Sequence, residues 1–304
     1  MYYNGHSPSL AGNLIIAIIF AVYFIYNLIV GFRYKSWWFM NSWIFGLGLE
    51  TIGYIGRVCS SNNINSFGAY VMQSSCITLA PCFLMAGIYY LIAQLTIIHG
   101  QRYSILKPKQ YTWIFIISDV FAILLQASGG GIAASNSSDT SSDTGSHIMI
   151  GGLAFQVVSM SLFQIFWYLF LYKSFCGYKT YGDDAFNYTY AKIRKGRLYV
   201  AFLISVSIAV LTVYVRSIYR TIELAYGFDS FLSYEEIYVM ILESLMILIA
   251  CTLLMICHPA VVFRKVPIDF KLESGGNYEK NEAKMKWNDE PLHESHQSST
   301  RTFL

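Results

Sequence analysis

With 304 residues, 55% of them hydrophobic and only 13% charged, the chain carries too much apolar surface and too little charge for an ordinary soluble domain. The formal net charge of +3 is too small to draw in a nucleic acid by bulk electrostatics, so the placement of Lys and Arg matters more than their total. Six cysteines are scattered, mostly inside apolar runs, without the spacing of a disulfide framework or a zinc site; Cys59 and Cys76 could approach each other near the outer surface, and free, buried thiols are the blander reading.

A bilayer core ~30 Å thick requires about 20 largely apolar residues per helix. Residues 10–32, 37–57, 69–98, 111–133, 148–172, 198–219 and 236–258 each meet that requirement, which predicts seven spans. The first run has no Lys or Arg before it and is far longer than the core of a signal peptide, so it reads as a retained span. A barrel would show short alternating segments, and helices are the other way to satisfy the backbone in lipid. The predicted fold class is therefore all-α, a polytopic seven-helix bundle. It divides into an extracellular N-terminus at 1–9, the bundle at 10–259 and a cytosolic tail at 260–304.

The connecting segments set the orientation, because Lys and Arg collect in short cytoplasmic loops. Arg33 and Lys35 follow the first span, Arg102, Lys107 and Lys109 the third, and Lys179, Lys192, Arg194, Lys195 and Arg197 the fifth. The loops at 58–68 and 134–147 have neither residue type, and the tail carries Arg264, Lys265 and Lys271. This predicts an N-terminus outside and a C-terminus in the cytosol, with Arg216 and Arg220 as exceptions at an outer helix end. The run Ser135 to Asp143 reads as a flexible polar loop with an outward sequon at Asn136, and a second sequon at Asn187 faces the cytosol. Beyond Pro267 the mixed charges predict a disordered tail.

Ionisable groups at membrane depth are costly and turn toward a bundle interior or a water-filled cavity. Here they fall in stripes. Glu50, Gly53 or Tyr54, and Arg57 recur at helical spacing in the second span, and Arg216, Arg220 and Glu223 do so in the sixth. Glu236 and Glu243 are seven apart in the last span, as are Asp119 and Gln126 in the fourth. The orientation places nearly all of these in the outer half of the membrane, with Asp119 deeper. Ion pairs and hydrogen bonds that glue helices together account for any one of them. Taken together, three arginines and four outer-half carboxylates exceed what helix packing needs, and a polar cavity opening outward is the sharper reading. Its mixed charge suits an amphipathic ligand with a zwitterionic or amino-alcohol head.

Pro81 in the middle of the third span frees a backbone carbonyl and predicts a kink. Glycines at 129–131 and 151–152 allow close helix approach or a hinge, and Trp37, Trp38 and Trp43 read as an interfacial belt. There is no phosphate-binding G-x-x-x-x-G-K-[ST] loop, and the six His residues are dispersed, so neither nucleotide hydrolysis nor zinc chemistry has its residues. No catalytic residue, metal or other cofactor is expected, and the chain is read as a non-enzyme.

Several motifs in order carry a family resemblance. They are Glu50-Thr51-Ile52-Gly53-Tyr54-Ile55-Gly56-Arg57, then Gln73 with Ala80-Pro81 and Tyr89, then Asp119 through Gln126 to Gly129-Gly130-Gly131. Gly151 with Gln156, Arg216 through Glu223 with Gly227, and His258-Pro259 complete the set. Over roughly residues 10–260 the chain resembles the fungal lipid-translocating exporters, the RTA-like family of seven-span proteins. In the last span the family tends toward E-x-x-x-Y-x-x-D, whereas this chain has Glu236, Met240 and Glu243.

The resemblance implies a plasma-membrane or endomembrane protein that moves, or protects against, amphipathic molecules such as sphingoid bases, phospholipids or sterol-like toxins. It also brings Gln73 into the expected substrate-binding set, beside Glu50, Tyr54, Arg57, Asp119, Gln126, Arg216, Arg220, Glu223, Glu236 and Glu243. Membrane lipids and an amphipathic small molecule are the expected partners. The alternative is a seven-span receptor or lipid sensor, although the chain has His99-Gly100-Gln101-Arg102 where D-R-Y is expected and no N-P-x-x-Y in its last span.

Overall fold

The computed structural model describes residues 9–62, 66–100, 103–135, 139–181, 186, 190, 194, 196–226 and 236–263. Among these the secondary structure is helical, with no strand. The helices are α1 (Leu10–Tyr34), α2 (Trp37–Asn62), α3 (Phe67–His99), α4 (Pro108–Ser135), α5 (Asp139–Tyr181) and α6 (Arg197–Ala225). Then comes α7, which is α-helical at Glu236–Tyr238, π-helical at Val239–Leu245 and α-helical again at Met246–Ile256. A short α8 (Pro259–Val262) ends the described chain.

α1 shows why the chain folds this way in lipid. Ile15, Ile18, Val22, Ile25 and Ile29 recur at helical spacing and are all more than half exposed, while Asn13 and Asn27 are buried. The apolar stripe points outward and the polar residues inward, the reverse of a helix in water. Ser9 caps the helix by accepting from the Gly12 N–H at 3.4 Å, and Lys35 ends it in the left-handed region at φ 56°.

Consecutive helices pack side by side from α1 to α7, and contacts of α3 with α6 and of α1 with the last part of α7 close the bundle. α2 lies tight against α3 because Gly53 and Gly56 present no side chain: a Cβ at Gly53 would come within 2.5 Å of Ile77. α4 and α5 approach equally closely at Gly129, where a Cβ would meet the Met149 amide at 2.6 Å. Close approach is therefore the role of Gly129, whereas Gly131 and Gly151 face open space.

Among the described residues six helices are long and apolar enough to cross a membrane: Leu10–Tyr34, Gly68–His99, Pro108–Ile132, Thr144–Thr180, Arg197–Ala225 and Val239–Val262. The chain is thus a polytopic helical membrane protein. α2 has the length, 26 residues, but Asn41, Ser42, Glu50, Arg57 and its glycines dilute its hydropathy, and it does not join that set.

Three expectations change. Trp43 is 1% exposed and stacks on Phe39 with ring centroids 4.8 Å apart, so only Trp37 and Trp38 are placed for an interfacial belt. The segment read as a loop from Ser135 to Asp143 is largely absorbed by helix, since α5 begins at Asp139; Asp and Ser are residue types that helix N-termini favour. Cys59 and Cys176 are exposed free thiols, so burial holds for Cys82, Cys251 and Cys257 only. The sequons at Asn136 and Asn187 and the tail beyond Phe263 lie outside the described residues.

Candidate functional site

One end of the bundle, where α1, α3 and α7 begin and α2 and α6 finish, gathers most of the striped residues. α2 supplies Glu50 and Tyr54, each 1% exposed, and half-buried Arg57. α6 supplies Arg216, Arg220 and Glu223, and α7 supplies Glu243. Helical periodicity puts each set on one face, and the cost of exposing charge to lipid turns those faces toward one another.

The Arg216 guanidinium is the pivot. Its Nη2 donates to Glu243 Oε1 at 3.1 Å and to the Ile77 carbonyl at 2.5 Å. That carbonyl is available because its helical partner four residues on is Pro81, which has no N–H. The carbonyl freed by Pro81 thus becomes a ligand for an arginine from another helix. Both partners of the Arg216–Glu243 pair are nearly inaccessible, with side chains 3% and 4% exposed.

Nearer the end of the bundle Arg220 Nη1 donates to Glu223 Oε2 at 2.8 Å, and its Nη2 lies 3.3 Å from Ser74 Oγ and 3.5 Å from Thr78 Oγ1. Arg57 Nε donates to Asn13 Oδ1 on α1 at 3.0 Å. Tyr54 and Ser244 share a hydroxyl–hydroxyl hydrogen bond of 2.5 Å. Glu50 lies within the fields of Arg216 and Glu243, and Glu223 within those of Arg57, Arg220 and Glu243. Three guanidinium groups and three carboxyls therefore form one cluster, whose deepest members are Glu50, Arg216 and Glu243.

The cluster is not fully satisfied internally. Glu50 Oε1, Gln73 Oε1 and Arg216 Nε are buried without a hydrogen-bond partner. Gln73 sits on α3 one turn before Ile77, where its backbone packs against Gly56 of α2. Unmet hydrogen-bonding capacity in a buried charged site is where a polar ligand gains most.

The π-helical stretch Val239–Leu245 places both Glu243 and its neighbour Ser244 in the interior, at 3% and 2% exposure, one toward Arg216 and the other toward Tyr54. Such stretches recur at functional sites. The side chain of Glu236 lies outside the described residues, and with a π-helix between them its seven-residue spacing from Glu243 no longer defines an α-helical face.

Asp119 and Gln126 belong to a second cluster, built on α3, α4 and α5. The Tyr89 hydroxyl donates to Asp119 Oδ2 at 3.0 Å, Gln126 Nε2 donates to Gln156 Oε1 at 2.9 Å, and Gln156 Nε2 lies 3.1 Å from Cys82 Sγ. Cys82 lies in the fields of both Asp119 and Arg216 and so stands between the two clusters.

Residues 43–266 match the model of the RTA1 like protein family, a stretch that contains every candidate site residue from Glu50 to Glu243. The chain is 34% identical over 285 residues to the sphingoid long-chain base transporter RSB1 of Saccharomyces cerevisiae strain Lalvin EC1118 / Prise de mousse, covering 86% of this chain and 74% of that protein. The chain belongs to the RTA1-like family. Two further relatives are Protein RTA1 of Saccharomyces cerevisiae strain S288c, 29% identical over 73% of this chain and 66% of its own length, and Protein RTM1 of the same species, 28% identical over 68% and 62%. No solved structure matches.

Within this RTA1-like bundle, Asn13, Ser74, Thr78 and Ser244 complete the charged cluster and were not singled out by sequence. Short polar side chains are common in helix interfaces, so nothing in their spacing marks them. A separate groove of about 610 Å³ between α5 and α6 is lined by Ser161, Gln164, Tyr168, Leu169, Tyr172 and Tyr214. None of the candidate residues faces it; Tyr214 lies two residues before Arg216, on nearly the opposite side of α6.

At the other end of the bundle, Arg194 from the basic segment donates to the Ile98 carbonyl at 3.1 Å, and its guanidinium lies 5.0 Å from the Phe186 ring centroid. Tyr199 bonds His99 Nδ1 at 3.2 Å beside them. One residue of the basic segment, Arg194, therefore also packs onto the bundle.

Proposed function

We propose that this protein is a transporter or facilitator of amphipathic lipids, with the Arg–Glu cluster as the site that receives the polar head. The observation that carries the reading is a buried cluster of balanced charge in which Glu50 Oε1 and Gln73 Oε1 remain without donors. A sphingoid base presents an ammonium and hydroxyl groups, all of them donors, on an aliphatic tail. The relative named a sphingoid long-chain base transporter makes that the first substrate class to test, within a set that includes phospholipids and sterol-like toxins. Asp119, Gln126 and Glu236 stay in the candidate set.

The same reading takes α2 as a seventh span. At about 1.5 Å per residue its 26 residues reach ~39 Å, more than the hydrocarbon core, and Glu50 is buried while Tyr54 and Arg57 bond to α7 and α1. Seven spans with an outer N-terminus place the Arg–Glu cluster in the outer leaflet and residues 260–304 in the cytosol. The plasma membrane is the proposed location, and contribution to lipid asymmetry and toxin resistance the proposed role, without enzymatic chemistry.

The test is purified protein in liposomes, with fluorescent sphingoid base supplied on one leaflet. Redistribution faster than in protein-free liposomes supports the proposal; equal rates count against translocation by this chain alone and favour a receptor or sensor.

A further inference from the structure

Asp119 differs from every carboxyl of the outer cluster in having no cation beside it among the described residues. It is 3% exposed, and Oδ2 accepts one hydrogen bond, from Tyr89, while Oδ1 is buried with no donor. Phe115 and Phe163 wall the Tyr89 ring, at centroid distances of 5.5 and 4.5 Å. Among the described residues the side chain bonded to Asp119 is the neutral Tyr89 hydroxyl of α3, and the other members of this cluster, Cys82 of α3, Gln126 of α4 and Gln156 of α5, are neutral as well. Arg216 of the outer cluster reaches this region by its field at Cys82.

An ionised carboxyl placed there has neither counter-charge nor a full set of donors, and adding a proton removes the deficit of charge without needing any space. A lipid ammonium would need a cavity beside Oδ1, whereas Tyr89 and Phe163 are buried completely. We propose that Asp119 is a proton-binding site, with Tyr89 as its positioning residue, and that proton uptake and release there accompany lipid movement. The step is a simple one: a proton from water binds Asp119 Oδ1, and the acid loses it to water again when the helices around it rearrange. Coupling to the lipid rests on the transport reading above. The link in the structure is α3, which bears Tyr89 and Cys82 of this site and the Ile77 carbonyl held by Arg216 in the other.

The experiment has two arms on full-length protein in liposomes. Infrared spectra recorded across an acid-to-alkaline titration should show a protonated-carboxyl C=O band that disappears with rising pH, is missing in Asp119→Asn, and changes its titration midpoint in Tyr89→Phe. In the second arm, sphingoid-base redistribution is measured with and without an imposed pH gradient, and the rate in protein-free liposomes, which includes passive trapping of the amine, is subtracted. The wild type should respond to the gradient and Asp119→Asn should lose that response. A carboxyl band absent from the difference between wild type and Asp119→Asn, or one that never titrates, overturns the site. Redistribution that is protein-dependent but indifferent to the gradient overturns the coupling and leaves the transport reading standing. No protein-dependent redistribution at all defeats the transport reading, and the infrared arm still decides whether Asp119 binds a proton.

Discussion

Arg216 on α6 donates to the carbonyl of Ile77 on α3 across 2.5 Å, and that carbonyl is free because Pro81 cannot donate to it. A proline in one helix and an arginine in another thus act as a single device. Pro81→Ala restores the missing N–H, so the carbonyl no longer depends on Arg216. The prediction is a coupling of about 0.5–3 kcal/mol between Pro81→Ala and Arg216→Lys in a double-mutant cycle on unfolding in detergent. Additive effects would show that the two residues act independently.

The Arg216–Glu243 pair is deeply buried, so losing one partner strands the other. Arg216→Met alone should cost about 3–5 kcal/mol, and adding Glu243→Met should recover the part due to the stranded carboxylate because two apolar residues replace two charges. The readout is the thermal midpoint of purified protein. Equal destabilisation by the single and the double variant contradicts the pairing. The stranded Ile77 carbonyl sets a residual cost of about 1–3 kcal/mol that the double variant keeps.

Arg220 and Glu223 lie nearer the bundle end, with side chains 14% and 10% exposed. Arg220→Lys keeps the charge and should cost about 1 kcal/mol or less in stability, but an ammonium cannot span Glu223, Ser74 and Thr78 as the guanidinium fork does. Normal abundance in the membrane with reduced lipid or toxin resistance is the expected phenotype. Full resistance at normal abundance assigns Arg220 to helix packing.

Much of this arrangement is legible in the sequence because membrane energetics leave few choices. Glu50, Tyr54 and Arg57 share an α2 face, and the cost of facing lipid sends that face inward; the same holds for Arg216 and Glu223. Periodicity fails where the helix itself changes. The π-helix at Val239–Leu245 turns consecutive residues Glu243 and Ser244 inward, which no fixed α-helical spacing anticipates. Nor does a one-dimensional stripe reveal which helices adjoin, so the separation of Asp119 and Gln126 into an α3–α4–α5 cluster appears only once Tyr89 and Gln156 are seen beside them. Pro81 announced a free carbonyl, but not that Arg216 would take it.

Orientation yields a further prediction. With seven spans and the outer N-terminus expected from the Lys and Arg bias, a C-terminal reporter should resist external protease in intact cells and an N-terminal one should be cut. Cleavage of the C-terminal reporter from outside overturns the span count or the orientation.

The central claim is that the Arg–Glu cluster holds the head of a transported lipid, and Glu50 tests it most directly because its Oε1 is buried without any donor. Glu50→Gln keeps the shape of the side chain and removes its charge. With equal amounts of folded protein in liposomes, the account predicts that wild type redistributes a sphingoid base and that Glu50→Gln does so at least about tenfold more slowly, the loss expected when a buried charged contact worth about 1.5–3 kcal/mol is removed. Wild-type rates from a normally folded Glu50→Gln protein would contradict the account and leave the cluster as the glue of the bundle.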